Sequence, residues 1–482
     1  MDKDPPTPSS ALKGLATKTT SWPIDFSAVR SPPAWLANTA TTIIFLFAVA
    51  LFFLALVAII RLAIDLLGDN PQRASEAIKS LLPIAAAAVG LPLIIWRLVI
   101  LNQQTRISEI KTQIDRETHY TSIFSKSIDQ LGQTREVNET REREHRLETT
   151  TRTVPNIEVR LGGIHSLTRL GEESIRDREK IENTLRSYVR ENSWSDRRGF
   201  SSSAPAKSSP RFHALYAWSR SEEPDRDKAL EVWESEVTEY TQNQLKWGAS
   251  LSETRVDVNE AIDAIVKLRR LSQSTPPDRL YECLFVGRSF SSELLNATGF
   301  ERCTFANCFL NLKENSDLRF SNCQFLNSRF SGNTASIFFV RSILMSCGFE
   351  DLNDCSVSLR ASTAYNLGFS ASGAISFSLP GSTLIGGWLA APMPITLDAR
   401  SATIFQFDFN GISFSAAAQF ERCTLVKADF RGADLSQVEK ISPQALASMR
   451  VNARTVHPKT TGRPESWPEY DPNYEDPDEI PF

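Results

Sequence analysis

Seven cysteines and five histidines are the side chains with the widest chemical reach in this chain. His119, His145, His165, His213 and His457 are scattered, and none stands at ligand spacing from another. The cysteines, by contrast, all fall between Cys283 and Cys423. Cys303 and Cys308 invite a metal reading, but zinc ligands must converge on one point. Steps of five string thiols along a line instead. An odd count also rules out a complete set of internal disulfides. The step Leu161-Gly162-Gly163-Ile164 lacks the spacing and the lysine of a phosphate loop, so its glycines read as a close approach between helices. His213 and the Glu/Asp cluster of 222–236 have no partners from which to assemble a nucleophile, base and acid. No catalytic residue, cofactor or metal is expected, and the chain does not read as an enzyme.

A period of five positions the cysteines. Phe285, Phe290, Leu295, Phe300, Phe305 and Leu310 are five apart; after Asn315 the same phase resumes at Phe320, Phe325 and Phe330. The register slips by one for Phe339, Leu344, Phe349, Leu359, Phe369, Leu379, Leu384, Leu389, Ile404, Phe409 and Phe414. It slips back for Phe420, Leu425, Phe430 and Leu435. Two residues before the large slot the side chain is usually small: Cys283, Cys303, Cys308, Cys323, Ser328, Ser342, Cys347, Ser362, Ala402, Cys423, Ala428 and Ala433 among them. Cys355 is the exception among the thiols. One large and one small inward residue per five-residue step describes a flat side of a narrow solenoid. Buried free cysteine behaves as a small hydrophobe, so Cys303, Cys308, Cys323, Cys347 and Cys423 are expected in the core stack with the Phe and Leu slots.

Upstream, Ile43 to Ile60 is an uninterrupted apolar run extended by Leu62–Leu67, and Leu81 to Leu101 is a second one containing Pro83, Pro92 and Arg97. By length each predicts a transmembrane helix. The flanking Lys3, Lys13, Lys18, Arg30, Arg106, Lys111 and Arg116 place both tails on the cytoplasmic side of a bacterial inner membrane, with the lipid bilayer as a partner. The expected order is a tail over 1–40, a two-helix hairpin over 41–101, a helical stem and small HEAT-like helical-repeat domain over 102–275, a solenoid over 281–440, a capping helix over 441–457 and an acidic, proline-rich disordered tail over 458–482.

Within the middle, Ile107, Ile110, Ile114, Thr121, Phe124, Ile128 and Leu131 form one helical stripe. It reads as packing against the chain's own next helices, with a homo-oligomeric coiled coil through 102–132 as the alternative. Arg and Glu balance over 135–152, which reads as a solvated helical face or loop. Helices follow around Ile157–Leu170, Ile181–Val189 and Val258–Leu268. Ser193–Arg211 reads as a flexible loop and Asp225–Trp247 as an acidic helix. The chain has 482 residues, 53 basic and 57 acidic, a balance that argues against a nucleic-acid binder.

At Ala428-Asp429-Phe430 and Ala433-Asp434-Leu435, and more loosely at Cys303-Thr304-Phe305 and Asn322-Cys323-Gln324-Phe325, the chain resembles the bacterial pentapeptide-repeat proteins. That resemblance implies a right-handed quadrilateral β-helix of seven or eight coils over 283–437. The stem Phe124–Gly132, the segments Glu158–Ile164, Tyr188–Asn192 and Val256–Ile262, and the end from Ser442 through Trp467 are similar to a membrane-anchored subgroup. Ser442 as N-cap before Pro443 is itself a sound helix start. These features point to a non-enzymatic, membrane-anchored scaffold or protein-interaction module. Its partner would be a protein held by the solenoid face or the acidic tail. A membrane effector of the stress or phage-defence type, its cytoplasmic region controlling the two spans, is one alternative. A gyrase-binding DNA mimic, as some members of the family are, is another. That second one needs an acidic stripe, and residues 281–440 hold 14 acids against 12 bases.

Overall fold

The computed structural model describes residues 71–143, 146–193, 225–272, 279–297, 299–312 and 316–474, with short helical stretches between 49 and 64. The chain divides into two units, Met1–Thr121 and Ser122–Phe482. Helix α1 runs from Pro71 to Leu131, 61 residues. Among the described residues no helix is long and apolar enough to cross a membrane. That finding overturns the expected two-span placement in an inner membrane with both termini cytoplasmic. The run Leu81–Leu101 is one stretch of α1, interrupted by Pro83 and Pro92 and loaded with Arg97, and the helix continues through polar sequence to Leu131. The first run and the 1–40 tail lie wholly or largely outside the described residues.

The stem stripe divides. Ile107, Ile110, Ile114, Thr121 and Ile128 are exposed, whereas Phe124 is partly buried and Leu131 is buried. Packing against following helices therefore covers only the last turns of α1. Gly163 shows why they approach so closely: a Cβ there would stand 2.9 Å from the Ser127 carbonyl oxygen.

Residues 134–155 form an antiparallel hairpin, β1 (Thr134–Arg143) and β2 (Arg146–Pro155), not the helical face or loop read from their charge. The β-branched residues Thr149, Thr150, Thr151, Thr153 and Val154 decide it. Thr140 and Thr149 pair across the strands at 3.3 Å, and Thr151 donates to Asn138 at 2.9 Å. Cross-strand pairs of this kind stabilise a ribbon on which Arg135, Glu136 and Arg152 face water.

Three helices then pack together: α2 (Ile157–Glu173), α3 (Arg178–Asn192) and, after α4 (Asp225–Ser250), α5 (Val256–Ser272). Ile164, Leu167, Ile181, Leu185, Val189, Val258, Ile262, Ile265 and Leu268 are their buried stripes. At the end of this core sits a polar knot. Asp257, wholly buried, accepts from Tyr188 Oη at 2.5 Å, from Arg255 at 2.7 and 3.0 Å, and from the Val258 backbone at 2.9 Å. Burial alone would raise the Asp257 carboxyl, yet the Arg255 and Tyr188 hydrogen bonds hold it below its ordinary range. The same burial and the facing carboxylate push Tyr188 from 10.0 up to about 12.

From Arg279 to Ile441 the chain winds a parallel β-solenoid of about eight turns. Register shows its pitch: Phe285 pairs with Phe305, Phe305 with Phe325, Leu344 with Ala364, and Leu384 with Ile404. Some coils depart from twenty residues, among them the last, where Phe420 pairs with Ile441. Phe325 pairs with Leu344 and Ile404 with Leu425, which are the two phase slips seen in the sequence. Arg288 ties α5 to the first coil through Asp263 at 2.6 Å and Asn259 at 2.5 Å. A short helix, α6 (Ser292–Ala297), interrupts the early coils. At the far end Ser442 caps helix α7 (Pro443–Ala447), and Trp467 donates to the Leu446 carbonyl at 3.2 Å.

Candidate functional site

A solenoid has two surfaces, an inner one that holds it together and an outer one that meets other molecules. The inner one is filled by Phe285, Phe290, Phe300, Phe305, Phe320, Phe325, Phe330, Leu344, Phe349, Phe409, Phe414, Leu425, Phe430 and Leu435, all buried. Their rings stack coil on coil: Phe305 on Phe325 at 4.6 Å, Phe330 on Phe349 at 4.6 Å, Phe349 on Phe369 at 4.5 Å. Cys303, Cys308, Cys323, Cys347 and Cys423 are buried beside them, and all seven thiols are free.

The small slot carries more than small size. Cys283, Cys303, Cys323, Ser342, Ser362 and Ser382 stand one above another, and the heteroatom of each from Cys303 onward donates to a carbonyl of the coil below. Cys303 Sγ reaches Leu280 O at 3.3 Å, Ser342 Oγ Phe320 O at 3.3 Å, Ser362 Oγ Phe339 O at 3.2 Å and Ser382 Oγ Leu359 O at 2.8 Å. The hydroxyls also accept from the neighbouring coil: Ser342 N–H donates to Ser362 Oγ at 3.0 Å, and Ser362 N–H donates to Ser382 Oγ at 3.1 Å. These bonds satisfy backbone groups at corners where the ladder cannot. Burial pushes the Cys308, Cys347 and Cys423 thiols up to about 12, so none of these three is poised as a nucleophile. Among the described residues no group of His, Cys, Asp or Glu side chains is arranged to hold a metal ion.

On the outer surface one ladder is apolar throughout. Val286, Ala306, Leu326, Met345, Tyr365, Ile385, Phe405 and Val426 follow one another through successive coils and are buried. Helix α4 covers them. Its Leu230, Trp233, Val237 and Trp247 join that cluster, with Tyr240 and Leu245 partly buried against it. Trp233 meets Phe405 edge-on at 4.9 Å, and Gly248 settles where a Cβ would stand 3.0 Å from Leu326. Polar pins hold both ends: Lys427 Nζ to Glu234 at 2.6 Å, and Gln324 to Gln244 at 3.1 Å. The stripe Leu230, Trp233, Val237, Tyr240, Gln244, Trp247 steps by three and four, a signal outweighed at the sequence level by the acids of the segment. His213 lies outside the described residues.

Among the described residues the other faces stay open. On one, the ladder Phe309, Arg329, Gly348, Gly368, Trp388, Asp408 leaves Trp388 about half exposed, its ring lying over Gly368. On another, Ser336, Ser356, Ser376 and Thr396 form a hydroxyl ladder beside Phe338, Ser358, Ser378 and Asp398.

With that geometry in hand, comparison finds likeness among solved structures. QnrB1, a plasmid-mediated fluoroquinolone resistance protein, is 17% identical in a trypsin-treated form, over 35% of this chain and 89% of that one, with a TM-score of 0.19. HetL, a pentapeptide repeat protein involved in heterocyst differentiation regulation in the cyanobacterium Nostoc sp. strain PCC 7120, is 13% identical over 39% of this chain and 89% of its own, with a TM-score of 0.15. No protein-family model matches the chain, and no curated protein matches it.

Proposed function

We propose that this chain is a non-enzymatic protein-interaction module in which the helical region holds a β-solenoid and offers its uncovered faces to a partner protein. The observation that carries this reading is α4. A solenoid face of this chain engages a protein helix along its full height, through an outer ladder of side chains that are not needed inside the coil. The open faces repeat the same backbone lattice with different side chains, so they offer the same rigid geometry to a different ligand. Charge supports protein over nucleic acid. The residues over 281–440 carry 14 acids and 12 bases, a near balance that favours neither the acidic surface of a gyrase-binding mimic nor the basic surface of a DNA binder.

Site-specific photocrosslinking tests the reading. A benzophenone side chain placed at Ser376 or at Trp388 of the full chain is expected to capture a discrete protein, while the same group at Val286, beneath α4, captures only the chain itself. If neither open-face position yields a discrete adduct in the native cell, the interaction-module reading fails.

A further inference from the structure

Where the hydroxyl face turns toward the α4 face, the corner is cationic. Glu301, Ser321, Val340 and Arg360 succeed one another in register on neighbouring strands, and Asn322, Arg341 and Ala361 hold the adjacent corner with positive φ. The short side chains of Ser321, Val340 and Ala361 leave a surface cleft of about 370 Å³, and Arg279, Arg341 and Arg360 wall it. Arg279 is spoken for by Glu301 at 2.7 Å, as Arg302 is by Glu282 at 3.3 Å and Arg400 by Asp398 at 2.8 Å. Arg341 and Arg360 make no ion pair among the described residues, and both are exposed.

Backbone geometry sets these two residues side by side. Arg341 N–H donates to the Arg360 carbonyl at 2.9 Å, so two exposed arginines without an ion pair among the described residues stand on adjoining coils of a rigid lattice, in a cleft whose one carboxylate, Glu301, is held by Arg279. Like charges held this way repel one another, and an anionic guest relieves that repulsion while taking two forked donor sets. We infer that the Arg341–Arg360 corner is a docking cleft for an acidic protein segment, its carboxylates bridging the two guanidiniums and its backbone lying over Ser321, Asn322 and Val340. A short segment can set its carboxylates on Arg341 and Arg360 alone, whereas the continuous phosphates of a nucleic acid would also meet Glu301, which lines the same cleft. This inference rests on the interaction-module reading and assigns that reading a face and a partner chemistry.

The test uses the full chain and a fluorescein-labelled peptide with two glutamates separated by one glycine, read by anisotropy. Binding is expected to weaken at least tenfold in R341A/R360A, to weaken less in R341K/R360K, and to stay within twofold in R302A. Unchanged far-UV circular dichroism in each variant keeps a folding defect from passing as a binding effect. Equal affinity in wild type and R341A/R360A overturns the inference, as does no measurable binding at low salt. So does tighter binding of a labelled single-stranded oligonucleotide or a phosphoserine version of the peptide. Photocrosslinking from Ser376 and Trp388 reads the broader proposal separately. Adducts there with no loss in R341A/R360A would leave the module standing and remove only this cleft.

Discussion

Ser362 illustrates how much a single side chain carries inside these coils. Its hydroxyl donates to Phe339 O at 3.2 Å and accepts from Ser342 N–H at 3.0 Å. Ser362→Ala strands both backbone groups in a dry corner, and a loss of about 1–3 kcal/mol is expected in denaturant unfolding, with Ser362→Cys costing less. Gly332 is bound by sterics instead: its φ is 145° and a Cβ would sit 2.0 Å from Leu312 O, so Gly332→Ala must displace backbone. Loss of more than about 3 kcal/mol follows, visible as a drop in Tm. Tyr188 gives a pH signature. Its proton is held more tightly in the fold than in the unfolded chain, so its contribution is full below the unfolded value of 10.0 and is lost as pH rises toward about 12. Tyr188→Phe should flatten the fall of stability across that alkaline window; an unchanged slope would remove Tyr188 as its source.

At the scale of elements, α4 is the structural surprise and the solenoid the legible part. Five-residue spacing survives in the sequence because each large slot from Phe285 to Leu435 faces the same narrow axis, so every coil repeats the demand. Both register slips are visible for the same reason. The hairpin β1–β2 is hidden because its strands are largely exposed on both sides, leaving no apolar alternation to read. The apolar run Leu81–Leu101 misleads in the opposite way, since composition weighs the run without its prolines and the polar continuation of α1. The binding surfaces are illegible: outward residues obey no repeat, and the meeting of Arg341 with Arg360 follows from pairing between coils. Helix α4 itself yields a sharp expectation. Trp233 is buried at its contact with Phe405, so Trp233→Ala should cost about 3–5 kcal/mol. Hydrogen exchange should then quicken along the strands bearing Ile385, Phe405 and Val426; protection unchanged there would mean that α4 only decorates the face.

For the whole molecule, the question is whether eight coils unfold one by one or together. Solenoids are quasi-one-dimensional and fray from their ends when only neighbours interact. Here α4 packs on the ladder from Val286 to Val426, which couples distant coils directly. The buried thiols report on this. In native protein Cys283, Cys347 and Cys423, which lie near the first, middle and last coils, should react with a thiol reagent at one common slow rate set by global opening. In Trp233→Ala the rate at Cys423 should rise above that at Cys347. Faster reaction of Cys423 in the native chain would show that the coils fray independently.

The match between α4 and the stack has a consequence for how such a chain can change over generations. A helix of 26 residues is about 39 Å long, and eight coils at strand spacing span about the same height. Duplicating or deleting one coil, the cheapest change open to a repeat protein, would leave Trp233 or Trp247 hanging past its rung. Coil number and helix length must therefore drift in step, and a descendant with one more coil should carry about three more residues in the segment that becomes α4.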